Sequence, residues 1–183
     1  LYKNGATGLA FDPIVVSGPN TSLPHGVAGE RVIREGDFIT MDFGAVVGGY
    51  HSDMTRTIAV GSATDEMRLV YDTVLKAQLE SEKAIRAGAV CQDIDKIARD
   101  IINAAGYEGC FGHGLGHGVG VEIHEFPNLS PASDSILQIG NIVTVEPGIY
   151  IPEKFGVRIE DMALITENGC ENLTKSPKDL IIL

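Results

Sequence analysis

The chain has 183 residues, 44% hydrophobic and 21% charged, with 25 Asp and Glu against 14 Lys and Arg, a formal charge of −11. That length suits one domain with a sizeable core, and that charge argues against nucleic acid or an anionic membrane as main partner. No run approaches the ~18 apolar residues of a membrane span, and the widely spaced Cys91, Cys110 and Cys170 read as reduced thiols of a cytoplasmic protein, not as a disulfide or zinc framework.

Residues 1–35 are rich in Gly, Pro, Ser and Asn and hold one short apolar strand around Ile14-Val15-Val16. The opening Leu1-Tyr2-Lys3-Asn4-Gly5 is no signal peptide and lacks an initiator Met, so the chain reads as a fragment. A strand over 37–43 comes next, then Gly48-Gly49, which suits a two-residue hairpin turn. With that turn Asp42 faces Thr55, and Asp53, two residues from Thr55, is a diagonal neighbour of Asp42 on the same face. Thr64-Asp65-Glu66 starts a helix with acids in its first turn, and Gly88 is its expected stop. Met67, Val70, Val74, Ala77 and Ala84 keep helical spacing between them. A second helix carries Ile94, Ile97, Ala98, Ile101, Ile102 and Ala105 on one face and ends at Gly106. Both fit core-facing helices that cover a sheet. A Gly/His segment at 112–125, a Pro/Ser loop near 127–135, a strand at 141–146 and a strand at 157–166 complete the chain. No linker divides it, so 1–183 is expected to be one domain.

Two segments are copies of one another. Gly36-Asp37-Phe38-Ile39-Thr40-Met41-Asp42-Phe43-Gly44 matches Gly140-Asn141-Ile142-Val143-Thr144-Val145-Glu146-Pro147-Gly148 in register, which sets Asp42 opposite Glu146. A second carboxylate follows each copy, Asp53 after the first and Glu160 after the second. Two half-sites facing each other across a pseudo-two-fold axis are the expected result. Four acids meeting in an interior cannot all stay charged without cations. Seventy-eight residues separate Ser62 from Gly140, whereas 35 precede Gly36; if the halves are alike, the chain lacks its own first helices.

Three of the five histidines, His113, His117 and His124, fall in the Gly/His segment; His25 and His51 lie earlier. The segment has no Gly-x-Gly-x-x-Gly register and is no dinucleotide loop. Four carboxylates with an imidazole make an oxygen-rich site for hard or borderline divalent ions. Two such ions ~3.5–4 Å apart can hold a hydroxide and polarise a carbonyl, so hydrolysis needs no side-chain nucleophile. His51 alternates to the other strand face from Asp53 and reads as structural or rim.

Six segments in order, Ser22-Leu23-Pro24-His25-Gly26, Met41-Asp42-Phe43-Gly44, Ser52-Asp53-Met54-Thr55-Arg56-Thr57, His113-Gly114-Leu115-Gly116-His117, Val145-Glu146-Pro147-Gly148 and Arg158-Ile159-Glu160-Asp161, resemble the pita-bread metallopeptidases over nearly the whole chain. Within that family they are closest to the Xaa-Pro branch, prolidase and aminopeptidase P. The resemblance implies an α+β pita-bread fold, a curved antiparallel sheet with helices on its outer face and an internal duplication, missing its first helices and a separate N-terminal domain. It implies two divalent metals, Mn2+ first, with Co2+, Fe2+ or Zn2+ as alternatives. Asp42 would chelate one, Asp53 and Glu160 would bridge both, and His117 and Glu146 would complete the other. The family's liganding His stands seven residues before a second functional His, which selects His117 over His113. Glu146 would also shuttle the proton of the water. His124 and His25 would hydrogen-bond the scissile carbonyl and the tetrahedral intermediate, His113 would line the pocket near a substrate proline, and Arg158 would orient acids from behind. Short proline-containing peptides are the implied substrates and a homodimer the implied assembly. Methionine aminopeptidase, with the same five ligands, is the alternative activity. A metal-free binding module and an inactive fragment are the readings outside catalysis.

Overall fold

Two glycines start the two halves. Gly36 and Gly140 occupy matching repeat positions, and each takes a positive φ, 83° and 89°, that a residue with a Cβ adopts only under strain. From each the chain enters a strand, and the computed structural model, which describes residues 1–183, shows the same plan twice. In the first half β3 (Phe38–Asp42) pairs with β6 (Thr55–Ala59), and between them β4 (Ala45–Val47) pairs with β5 (Tyr50–His51). In the second half β9 (Ile142–Val145) pairs with β12 (Asp161–Thr166), enclosing β10 (Gly148–Ile151) and β11 (Phe155–Arg158). The register is that expected from Gly48-Gly49: Val47 faces Tyr50 across that turn, and Asp42 faces Thr55.

All named strand pairs are antiparallel. Outer strands extend each half: β2 (Ile14–Ser17) on β3, β7 (Gly116–Gly118) on β9, β8 (Glu125–Leu129) on β7 and β13 (Gly169–Asn172) on β12, while the short β1 (Gly8–Leu9) joins β4. Side chains and backbone of β11 and the residues just after it stitch the second half to β6 and to the 18–22 segment of the first. Thr57 Oγ1 donates to the Arg158 carbonyl at 3.0 Å, the Glu160 N–H donates to the Thr55 carbonyl at 3.1 Å, and the Gly156 N–H donates to Thr21 Oγ1 at 2.8 Å.

Helix α1 (Asp65–Ala84) opens where Thr64 Oγ1 accepts the Met67 N–H at 3.2 Å. It buries Met67, Val70, Tyr71, Val74 and Ala77 against Val143, Val145, Ile149 and Phe155 of the sheet. Fully burying side chains such as Met67, Val70 and Val74 stabilises by roughly 1.5–3 kcal/mol each. The helix ends before the expected stop at Gly88, because Ile85 turns extended to put its side chain, 0% exposed, into the core. Helix α2 (Cys91–Ala104) packs on α1 and buries Cys91, Ile94, Ala98 and Ile102. Ala105, expected on that apolar face, is exposed beyond the helix.

Two strand expectations need correction. The strand expected over 157–166 is broken at Ile159-Glu160, where the Glu160 N–H crosses to the other half instead of joining a ladder. The Pro/Ser loop expected near 127–135 begins inside β8. That strand is the sheet's outer edge, and Pro127 falls in the irregular stretch between the paired positions Gly118↔Glu125 and Gly116↔Leu129. An edge strand with a bulge needs no donor there, so proline is tolerated.

Candidate metal centre

The strand ends deliver the acids. Asp42 ends β3, Asp53 lies just before β6, Glu146 follows β9, and Glu160 fills the break between β11 and β12. His117 sits at the middle of β7, which its neighbours bring tight against β9. A Cβ on Gly116 would stand 2.0 Å from the Thr144 carbonyl oxygen, so only glycine permits that approach. The His117 N–H donates to Thr144 Oγ1 at 3.0 Å, and Thr144 Oγ1 donates to Glu146 Oε1 at 3.1 Å. His117 Nδ1 lies 3.0 Å from the Gly118 carbonyl, which can only accept, so Nδ1 carries the proton and Nε2 presents its lone pair to the cleft. That nitrogen is 3.3 Å from Glu146 Oε1 and 3.6 Å from Asp53 Oδ2.

Ligand atoms of Asp53, His117 and Glu160 all lie within 4.8 Å of one another. Thr55 Oγ1 donates to Glu160 Oε2 at 2.6 Å, and Arg158 Nη2 donates to Asp42 Oδ2 at 2.5 Å. One oxygen of each buried acid is left over: Asp42 Oδ1, Asp53 Oδ1 and Glu160 Oε1 have no hydrogen-bond partner. Buried polar atoms are rarely orphaned. Three carboxylate oxygens orphaned in one pocket, beside a free imidazole lone pair, fit divalent cations and little else.

The electrostatics agree. Burial, then the charges of Asp42 and Glu146, push Asp53 up to about 8. Burial, then Glu160 and Asp42, raise Glu146 well above the usual carboxylate range. Burial, then Asp53 and Asp42, do the same to Glu160. His117 is lowered by burial and by His124, with the Gly118 hydrogen bond opposing. These acids resist ionisation together, and neighbouring positive charge is what would reverse that.

A cleft of about 380 Å³ contains every residue given a metal or catalytic role from the sequence: Asp42, Asp53, His117, Glu146 and Glu160, with His25, His113, His124 and Arg158 on its walls. His124 and His25 are exposed, and the His124 ring centroid is 4.3 Å from that of His117. His113 is closed off: Nδ1 is 2.8 Å from the Gly114 carbonyl and Nε2 is 2.9 Å from the Tyr150 hydroxyl. Burial lowers its pKa to about 4. His51 lies outside the cleft and uses its backbone N–H to hold the Gly120 carbonyl at 2.7 Å.

Sequence reasoning missed Tyr150. Its hydroxyl accepts from Arg158 Nη1 at 3.0 Å and so links His113 to the arginine that holds Asp42. The signal was available in the second hairpin, where Gly148 faces Arg158 and puts Tyr150 on the diagonal of the same face. Phe11, Ile14, Ile123, Asn128 and Ser130 also line the cleft, and nothing in their local sequence marks them.

Cation-seeking acids at the seam of a duplicated antiparallel fold define a candidate site for divalent metal. Residues 1–167 match the model of metallopeptidase family M24, and the chain belongs to that family. It is 49% identical over 181 residues to the Xaa-Pro dipeptidase of Pyrococcus furiosus, covering 99% of this chain and 52% of that protein. The structure of an Xaa-Pro dipeptidase from Bacillus anthracis superposes with a TM-score of 0.97 at 54% identity, covering 100% of this chain and 51% of that one. An X-Pro aminopeptidase from Thermotoga maritima superposes with a TM-score of 0.97 at 44% identity, over 100% of this chain and 52% of that one. The fold is thus that of the pita-bread peptidases, and the chain spans about half the length of the curated relatives it matches.

Proposed function

We propose that residues 1–183 form the catalytic part of an exopeptidase that cleaves the bond between an N-terminal residue and proline, using two divalent ions, in the cell Mn2+. The carrying observation is the set of three orphaned, buried carboxylate oxygens converging with the His117 lone pair. Asp42, Asp53, His117, Glu146 and Glu160 would hold the ions. Bound there, the ions supply Lewis acidity at the carbonyl and an acidified water. Glu146 takes the proton of the attacking water and hands it to the leaving proline nitrogen. His124 and His25 donate hydrogen bonds to the carbonyl oxygen as it gains charge. His113, with both nitrogens engaged, offers ring edge and face as a wall for the proline ring. Arg158, tied to Asp42, Thr55 and Tyr150, holds the acids in place from behind.

The names of the similar proteins, dipeptidase and aminopeptidase, support the Xaa-Pro class. Cys91, Cys110 and Cys170, none in a disulfide, support a cytoplasmic setting. The test is metal content of the intact protein together with cleavage of Xaa-Pro dipeptides, Xaa-Pro tripeptides and Met-Ala peptides before and after chelation. Metal-dependent cleavage confined to the proline peptides is expected. Preference for Met-Ala would move the chain to the methionine aminopeptidases, and full activity after chelation would end the reading altogether.

A further inference from the structure

Glu160 occupies an awkward place. It lies in the break between two strands, with one carboxylate oxygen orphaned and Asp53 and Asp42 repelling it. Its backbone therefore needs an anchor other than a sheet ladder. Arg56, 5% exposed, supplies one. A guanidinium has five N–H donors, and here all five are used. Nε donates to the Pro177 carbonyl at 2.9 Å, and Nη1 to the carbonyls of Thr55 at 2.9 Å and Glu160 at 2.6 Å. Nη2 donates to Asp161 Oδ1 at 2.6 Å and to the Ser176 carbonyl at 2.9 Å. Four of the five acceptors are main-chain carbonyls on three separate stretches of chain. The remaining oxygen of Asp161 is fixed in turn by Lys178 and Asn172, each at 2.7 Å.

The third stretch then crosses to the other half. Beyond Lys178 it runs beside β6, where the Ala59 N–H donates to the Ile181 carbonyl at 2.9 Å and the Leu183 N–H to the Ala59 carbonyl at 3.0 Å. One arginine thus ties a strap from the second half, the first half's β6 and the Glu160 backbone into one knot.

We infer that Arg56 is a positioning residue for the metal centre: it fixes the Glu160 main chain against the 173–183 strap so that the carboxylate stays aimed at the cations. This rests on the two-metal reading above. A buried ion pair serving stability alone needs only charge beside Asp161. The knot needs the planar fork of arginine, because an ammonium is a point donor that cannot reach three stretches at once.

The test is Arg56→Lys in the intact protein, with Co(II) as probe, read by titration and by the visible absorption of the bound ion. A folded variant is expected to bind Co(II) about 10–100-fold more weakly, as for other groups that orient metal ligands, with an altered absorption band, a lowered kcat and a KM near the parent value. Wild-type affinity and spectrum in folded Arg56→Lys overturn the inference while leaving the centre intact. Should Arg56→Lys fail to fold, Lys178→Met loosens the same knot from its partly exposed end, and several-fold weaker Co(II) binding is expected; unchanged binding overturns the inference. Absence of Co(II) uptake by the parent protein removes the centre itself and the inference with it.

Discussion

Replacing Asp53 by Asn should make the metal-free protein more stable and the metal-loaded protein useless. The carboxylate is forced up from 3.8 to about 8 by burial and by Asp42 and Glu146. The sign is that of an acid whose folded pKa is raised. Its destabilising contribution is absent below the unfolded value, grows as pH rises through the window from 3.8 to about 8, and levels off above it. At about 1.4 kcal/mol per pH unit, the ceiling at pH 7 is roughly 4 kcal/mol. Relaxation of the cluster and sharing of protons among its acids leave on the order of 2 kcal/mol. Asn keeps the shape and removes the charge. Thermal unfolding of chelator-treated protein should therefore show the variant above wild type at pH 7, with the gap closing towards pH 4. With divalent metal in excess the order should reverse, because only wild type gains binding energy that scales with the logarithm of metal over Kd. A metal-free Asp53→Asn less stable than wild type at pH 7 would falsify the picture of mutually repelling acids.

His124→Ala should retain its metal by elemental analysis yet lose rate on the order of 10²-fold, the usual consequence of removing one donor to a developing oxyanion. Loss of metal instead would exchange the roles of His124 and His117. Gly116→Ala places a Cβ 2.0 Å from the Thr144 carbonyl oxygen, so β7 must shift away from β9. Denaturant titration should show a loss of roughly 1–3 kcal/mol, and metal affinity should fall with it because His117 is the next residue. Thr64→Ala removes the hydroxyl that caps α1. It should cost about 1 kcal/mol of stability and leave metal affinity untouched, which separates damage to the scaffold from damage to the site.

The half-sites were legible because duplication and glycine chemistry are local signals. Gly36 and Gly140 mark the same backbone position twice, and Gly48-Gly49 alone fixes the register that faces Asp42 with Thr55. The apolar faces of α1 and α2 were equally plain, although burial of Ile85 and not Gly88 decides where α1 ends. What the sequence hid is long-range. Arg56 reaches carbonyls about 120 positions away, at Ser176 and Pro177, and a carbonyl acceptor leaves no residue type to recognise. The interruption at Glu160 was hidden because its flanks, Phe155–Arg158 and Asp161–Thr166, both read as strand. Pro127 set the start of the loop three residues too early, inside β8 (Glu125–Leu129), because tolerance of proline depends on whether a neighbouring strand exists, which β8 lacks on one side.

The closed-off imidazole at position 113 has a consequence for how any pH–rate curve of this protein is assigned. With one nitrogen on the Gly114 carbonyl, the other on the Tyr150 hydroxyl and protonation deferred to about pH 4, that ring is a spectator to every proton exchanged near neutrality. A limb that persists after His113→Phe would be the expected finding. An inhibitor designed against this wall should meet it as it would meet a benzene ring, with flat apolar surface and no acid group.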